Sequence, residues 1–410
     1  MLFANLLTKV FQEGAIRLID SRGKIYLIGD GSKPVCTIRL HKRHLNYSLA
    51  VNPTLLVPEA YTNGTLSIEN GNLYEFLDLA GNNFRRLERS RLFRYIRNIS
   101  TSSFGQYNSI KKARLNVAHH YDLSKELYDM FLDSDLQYSC AYFSNKNSDL
   151  ESAQLQKKRH LASKLRLKQG LKVLELGSGW GGLAIYLSKV SKVNVTGVTL
   201  SEEQYLISKQ RVDEENLSNL VRFELKDYRN ENNQFDRIVS VGMFEHVGKR
   251  NYKEFFRKIN DLLVDDGIMV LHFIGRVDAP HAINPFIRKY IFPGADLPSL
   301  SEVVKMIEPT SLMVTDIEIL RTHYAETLRL WRKRFTANWQ KVAEIYDERF
   351  CRMWNMYLSL CEVGFRHFGL VVFQIQITKN MDSVPLTRDY MIDWERKQVD
   401  QNSNHDFSAA

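Results

Sequence analysis

The stretch Val173-Leu-Glu-Leu-Gly-Ser-Gly-Trp-Gly-Gly182 constrains the fold more than any other part of the sequence. The apolar run from Leu171 to Leu176 predicts a short buried strand of the parallel kind. The glycines that follow allow a sharp turn and a close approach of backbone to ligand, because no Cβ intervenes. From Leu183 the spacing becomes helical, through Ile185, Tyr186, Leu187 and Val190. A strand that enters such a turn and leaves as a helix marks the place where open α/β sheets bind nucleotides.

Two ligand classes fit this turn. Gly177-x-Gly179-x-x-Gly182 satisfies the dinucleotide pattern, which alone is weak evidence. Glu175 lies two residues before the first glycine. An acid there suits the cationic methionine end of S-adenosylmethionine and would repel a pyrophosphate. The second strand, Val193 to Val198, runs into Thr199 and has no acid at its tip. Gln204, in the first turn of the next helix, can reach ribose hydroxyls. These features favour S-adenosylmethionine. The plain alternative is a glycine turn that only packs helix on strand.

Further along, strands are expected near 171–176, 193–199, 220–225, 235–241, 266–273, 313–320 and 369–378. Helices are expected near 183–190, 202–213, 251–263, 301–308, 325–345 and 348–364. This alternation predicts an α/β fold with a mainly parallel, doubly wound sheet. Two helices precede the last strand, so that strand can insert antiparallel. Residues 1–114 read as a smaller mixed α+β domain. An apolar helix face (Leu2, Phe3, Leu6, Leu7, Val10, Phe11) opens it, and a hairpin turning at Ser21-Arg-Gly23 follows. Residues 115–380 form the catalytic domain, and the polar 381–410 segment reads as a poorly ordered tail.

Charge separates these regions. Residues 1–114 hold 17 Lys and Arg against 8 Asp and Glu, an excess of +9 that equals the net charge of all 410 residues. Six arginines between Arg85 and Arg97 alternate with Phe84, Leu87, Leu92, Phe93, Tyr95 and Ile96. A helix of this kind either lies on an anionic membrane or is solvated and docks on the catalytic domain. No base-reading motif accompanies it, which argues against nucleic acid. No apolar run is long enough to span a bilayer. Cys36, Cys140, Cys351 and Cys361 show neither metal-ligand nor disulfide spacing, so no metal is expected and a reducing cytoplasm suits the chain.

Polar groups stand near the carboxyl ends of the expected strands. Asp227 and Tyr228 follow the third, Glu245 and His246 the fourth, and His272 ends the fifth. Glu245, His272 and Tyr324 are candidates to converge, although a lone strand-end histidine is more often structural. Gln137-Tyr-Ser-Cys-Ala-Tyr142 could fold across the cofactor or plug the core with Cys140. Asn284–Pro293 reads as a lid or as a core-covering turn. Cys361, among Leu358, Leu360 and Phe365, reads as a buried thiol.

Together these motifs resemble the cyclopropane-fatty-acyl-phospholipid synthases, relatives of the mycolic acid cyclopropane synthases. The resemblance runs from about His119 to Lys379. It is carried, in order, by His120-Tyr-Asp, Gln137-Tyr-Ser-Cys-Ala-Tyr, Leu150-Glu-Ser-Ala-Gln, the glycine turn, Gly197-Val-Thr-Leu-Ser-x-x-Gln, Asp236 to Gly248, Leu271-His-x-Ile-Gly and Lys289-Tyr-Ile-Phe-Pro-Gly. Ser178 departs from the cysteine that many members carry. The first 114 residues resemble the N-terminal domain of the bacterial phospholipid-acting branch.

The resemblance implies a Rossmann-like class I S-adenosylmethionine-dependent methyltransferase fold. It also implies methylene transfer to the cis double bond of an unsaturated phospholipid acyl chain. Bicarbonate is the implied base, held by Glu245, His272, Tyr324 and backbone groups beside Cys140 and Ile274. The implied cofactor contacts are Tyr138, Ser139, Gly177, Gly179, Thr199, Gln204, Asp227 and Tyr228, and Glu175 joins them from its position. The cysteine traditionally labelled as active site corresponds to Cys361. Tyr142, Phe273 and Phe292 are expected wall residues of an apolar pocket. A homodimer on the inner face of the cell membrane is expected. Competing readings are a lipid methyltransferase that closes no ring, a small-molecule methyltransferase, and a non-catalytic membrane-binding protein.

Overall fold

A computed structural model describes residues 1–33, 35–88 and 123–408. The arginines from Arg89 to Arg97 and the motif at His120 lie outside these residues. The chain divides into two units. One comprises the N-terminal stretch with Asp278–Pro293 and Tyr324–Leu370, and the other holds the remainder. This differs from the linear division at residue 114, because two later segments share the N-terminal core.

In the first unit, β1 (Ala15–Ile19), β2 (Ile25–Gly29), β3 (Val35–Leu40) and β4 (Leu66–Asn70) form a sheet in the order β2-β1-β3-β4. β1 and β2 make the expected antiparallel hairpin, while β1 and β3 are parallel. The turn is held by Asp20 Oδ1, which accepts from the N–H groups of Arg22 (2.9 Å) and Lys24 (3.0 Å). The Leu2–Val10 helix buries Phe3, Leu7 and Val10, three members of the face read from spacing. Phe286, Met356 and Val363 join the same core as Phe3, Ile16, Leu18 and Ile38. The Asn284–Pro293 segment is therefore core-covering at Phe286, which is fully buried, and its alternative reading as a lid is not needed. Lys289 Nζ and Tyr290 OH donate to Glu59 at 2.7 and 2.8 Å.

The second unit carries β5 (Lys172–Leu176), β6 (Asn194–Thr199), β7 (Val221–Leu225), β8 (Phe235–Val241), β9 (Leu263–Arg276), β10 (Met313–Leu320) and β11 (Leu370–Thr378). Their order is β10-β11-β9-β8-β5-β6-β7. The pairs β5/β6, β6/β7, β5/β8 and β8/β9 are parallel, and β11 is antiparallel to β10. The order reverses at β5, so the ends of β5 and β8 flank a topological switch point. Alternation gives each strand two buried faces. Val173, Val195 and Val239 meet Leu161, Leu183 and Leu187 on one side. Leu174, Ile238 and Met269 meet Phe255, Phe256 and Ile259 on the other.

One expectation fails at the end of the chain. Residues Asp389–Ser408 form a helix where a poorly ordered tail was expected. Met391 is buried, and Trp394 packs against the β5–β6 side of the core. Glu395 Oε1 hydrogen-bonds His160 Nδ1 at 2.5 Å and accepts from Ser163 Oγ at 3.1 Å. Tyr390, in the first turn of this helix, is a second anchor: its OH accepts from Gln376 Nε2 at 2.8 Å, and its ring lies under the Arg166 guanidinium.

Candidate active site

The glycine turn lies where β5 ends, and its backbone is left-handed at Gly177 (φ +76°) and Gly179 (φ +52°). These conformations suit glycine and strain other residues. A Cβ on Gly177 would stand 2.9 Å from Met243 Cβ. A Cβ on Gly179 would meet nothing within 4 Å, so the turn faces open space there. That space is a cleft of about 1190 Å³, part of it open to solvent. Tyr138, Ser139, Glu175, Gly177, Gly179, Thr199, Gln204, Asp227 and Tyr228 all line it.

The polar groups around the cleft are specifically arranged. Thr199 Oγ1 donates to Gln204 Oε1 at 3.1 Å, which leaves the Gln204 NH2 as a donor for a ligand. Asp227 accepts from the Arg229 guanidinium at 2.9 and 2.7 Å. Glu175 is buried, and burial pushes its carboxyl up to about 8. Its Oε2 has no hydrogen-bond partner among the described residues. An unpaired buried carboxylate oxygen fits a cationic, hydrogen-donating ligand end, such as an α-ammonium group. Tyr138 and Trp180 pack edge-on against Tyr128 at 5.3 and 5.5 Å, giving the cleft an aromatic wall.

Beside the cleft, the short 3-10 turn Phe244–His246 buries Glu245. Glu245 Oε1 accepts the Ile274 N–H at 2.6 Å, and Oε2 has no partner among the described residues. Burial raises this carboxyl to about 7. The Ile274 N–H therefore orients Glu245 and is engaged there. His272 is buried at the end of β9, and burial holds its imidazole well below the usual range, aided by the Lys157 and Lys164 charges. Its carbonyl accepts from Gly242 N at 2.9 Å, tying β9 to the loop before Glu245. Met243 and His246, the neighbours of this loop, line the cleft. Cys140 is buried, its thiol donating to the Ala141 carbonyl at 3.3 Å.

Tyr324 and Cys361 belong to the first unit. There Tyr324 is buried against Phe365 (4.8 Å) and Trp331 (5.8 Å). Burial pushes the Cys361 thiol up to about 12, so very little of it is thiolate near neutral pH. Phe273 is not a pocket wall. It is fully buried between Phe244 and Phe373 in the sheet core. Phe292 packs edge-on against Tyr357 within the first unit. Tyr142 stacks on His160 at 4.1 Å and on His323 at 5.0 Å.

Two buried residues were not singled out from the sequence. Lys157 donates to Gln137 Oε1 and, at 2.9 Å, to Ser139 Oγ, and burial lowers its ammonium to about 8. It thus holds the segment that lines the cleft. Gln374, on β11, hydrogen-bonds His272 Nδ1 at 3.1 Å. A signal for Lys157 was present: Gln154, Lys157, Leu161 and Lys164 recur every three to four residues and share one helix face.

The family model described as mycolic acid cyclopropane synthetase matches residues 108–375. The chain belongs to the mycolic acid cyclopropane synthetase family. It is 41% identical over 275 residues to the cyclopropane-fatty-acyl-phospholipid synthase of Escherichia coli (strain K12), covering 67% of this chain and 70% of that one. It is 37% identical over 287 residues to a probable fatty acid methyltransferase of Pseudomonas putida, covering 67% and 73%. A crystal structure of the mycolic acid cyclopropane synthase CmaA1 complexed with SAH and CTAB aligns with a TM-score of 0.62 at 33% identity. That alignment covers 64% of this chain and 97% of CmaA1. The family match takes in the glycine turn, Glu245 and His272.

Proposed function

We propose that the protein transfers a methylene group, derived from the methyl of S-adenosylmethionine, to the cis double bond of unsaturated phospholipid acyl chains. The product is a cyclopropane fatty acid. The observation that carries this reading is the buried Glu245, with one oxygen unpaired, beside a glycine-turn cleft whose own acid suits a sulfonium donor.

An alkene is a weak nucleophile, so the methyl donor and double bond must be held in line at short range. The alkene's π electrons form a bond to the methyl carbon as the C–S bond breaks, leaving S-adenosylhomocysteine and a carbocation. Loss of one methyl proton then supplies the electron pair that closes the ring. Bicarbonate, when bound, would supply the base for that proton. Glu245 Oε2 would accept its O–H, and His272 would donate to one of its oxygens. Cys140 would belong to the same proposed set, with the Ile274 N–H holding Glu245 in place. Burial excludes water, which would otherwise quench the cation. Glu245 orients and does not act as the sole base, because a bare carboxylate would repel the anion.

The N-terminal charge excess supports peripheral binding to an anionic membrane, and Arg85 and Arg86 are exposed where the Leu73–Glu88 helix nears its end. Among the described residues no helix is long and apolar enough to cross a membrane. Each Lys or Arg near such a surface contributes roughly 1 kcal/mol. Vesicle binding should therefore weaken as salt rises; binding indifferent to salt would remove the electrostatic part. A homodimer at the inner face of the cell membrane belongs to the same proposal.

The Pseudomonas relative supports a second reading, in which the acyl chain is methylated without ring closure. Phospholipids from cells expressing the protein decide between them. A gain of one CH2 per unsaturated chain with cyclopropane proton signals by NMR is expected. The same mass with an exocyclic methylene signal would replace the first reading by the second.

A further inference from the structure

Strand β11 presents a buried polar face to the Leu150–Leu165 helix, an arrangement that packing alone does not require. Gln374 and Gln376 are buried, as are Lys157 and Lys164 on the helix. Lys164 Nζ lies 2.7 Å from Gln374 Oε1 and is ion-paired with Glu318. Gln374 Nε2 lies 3.1 Å from His272 Nδ1. Gln376 Nε2 donates to the Lys164 carbonyl at 2.6 Å, fixing the helix turn that carries the lysine.

We propose that Gln374 and Lys164 are positioning residues that lock His272 as the neutral tautomer protonated on Nε2. An ammonium only donates, so the Gln374 atom facing Lys164 must be the amide oxygen. The NH2 group must then face His272. An amide NH2 only donates, so Nδ1 must accept and carries no proton. The single proton of the neutral ring is left on Nε2. The other tautomer requires the amide to turn over, setting its NH2 against an ammonium and leaving two buried donors unsatisfied. A doubly protonated ring meets the same clash at Nδ1. The consequence rests on the anion site proposed above: an Nε2–H gives an anion a donor, whereas the other tautomer offers it a lone pair. The chain of contacts continues from Lys164 to Glu318, then to His160 Nε2 at 2.6 Å, and on to Glu395 of the last helix. The lock is thus braced from the far end of the sequence.

The test is the ring itself. The full-length protein labelled with 15N-histidine is studied by long-range proton–nitrogen NMR, with the His272 signals identified by their loss in His272→Gln. The Nε2–H pattern is expected in the wild type; an Nδ1–H or imidazolium pattern would overturn the proposal. Gln374→Glu offers an acceptor to Nδ1, so the signals should move to the Nδ1-protonated pattern. Methylene transfer should fall on the order of 100-fold, as when a donor aimed at an anionic centre is lost. S-adenosylhomocysteine affinity should be unchanged, because Gln374 does not line the cleft. An unchanged tautomer in that variant refutes the lock. If the carboxylate disturbs folding, Gln374→Met and Lys164→Met should each give a mixture of tautomers, and a retained single pattern in both refutes it equally. A product lacking the ring would sink the proposed function while leaving the tautomer result standing.

Discussion

Replacing Glu245 with glutamine should stabilise the unliganded protein relative to the wild type, and increasingly so as the solution becomes more alkaline. Burial raises the Glu245 carboxyl from its ordinary 4.5 to about 7. The folded protein therefore keeps a proton that the unfolded chain has lost, and stability falls as pH rises through that window. Each tenfold weakening of a group's acidity corresponds to about 1.4 kcal/mol, so ionising the buried carboxyl costs roughly 3 kcal/mol once the pH exceeds the folded value. At about pH 5 less than 1 kcal/mol of this cost is felt, by the same linkage. Glutamine can accept the Ile274 N–H as the carboxylate does, and it never ionises. Urea unfolding of both proteins across this range should show the variant gaining about 2 to 3 kcal/mol on the wild type between about pH 5 and pH 8. Comparing the slopes removes any constant penalty of the new amide. A difference that does not change with pH would refute the claim that Glu245 is a buried carboxyl that resists ionisation. Added bicarbonate should stabilise the wild type and do less for Glu245→Gln.

Three further outcomes follow from the geometry. Gly177→Ala sets a Cβ 2.9 Å from Met243 in a left-handed backbone, so calorimetry with S-adenosylhomocysteine should show affinity reduced at least about tenfold, against a backbone cost of about 1–2 kcal/mol. Cys361→Ala should keep turnover within about threefold, because a thiol pushed up to about 12 is not ionised; a large loss would give that residue a chemical role. Trp394→Ala should lower stability by about 2 kcal/mol in urea unfolding, and no change would mean that the last helix does not brace the sheet.

The parallel sheet was legible because its signal is local. Continuous apolar runs bounded by turns placed all seven strands of the second unit, and the glycine turn placed the cleft. Boundaries drifted where local signals weakened. β9 begins at Leu263, before the exposed Asp265 and Asp266. The long helix expected near 325–345 breaks at Asn338 into two. What escaped depends on partners far apart in sequence. Glu395 meets His160 across 235 residues, and no spacing in a polar segment announces that contact. Lys157 was not singled out because its partners, Gln137 and Ser139, lie in a loop. Asp278–Pro293 and Tyr324–Leu370 share the N-terminal core through Phe286, Met356 and Val363, a grouping that a linear reading of charge could not detect.

The position of β11 has a consequence for how the protein is made. It follows every other strand of its sheet in sequence, yet it sits between β9 and β10. During synthesis β9 must wait with one edge open and β10 with both, and such edges invite pairing with other chains. Closing the gap joins segments far apart, which is slow. The same event delivers Gln374 to His272. A nascent chain can thus present the glycine turn early, but it acquires its proton-ordered histidine only when the sheet is sealed. A partly made protein would then be able to hold a methyl donor without being ready to use it.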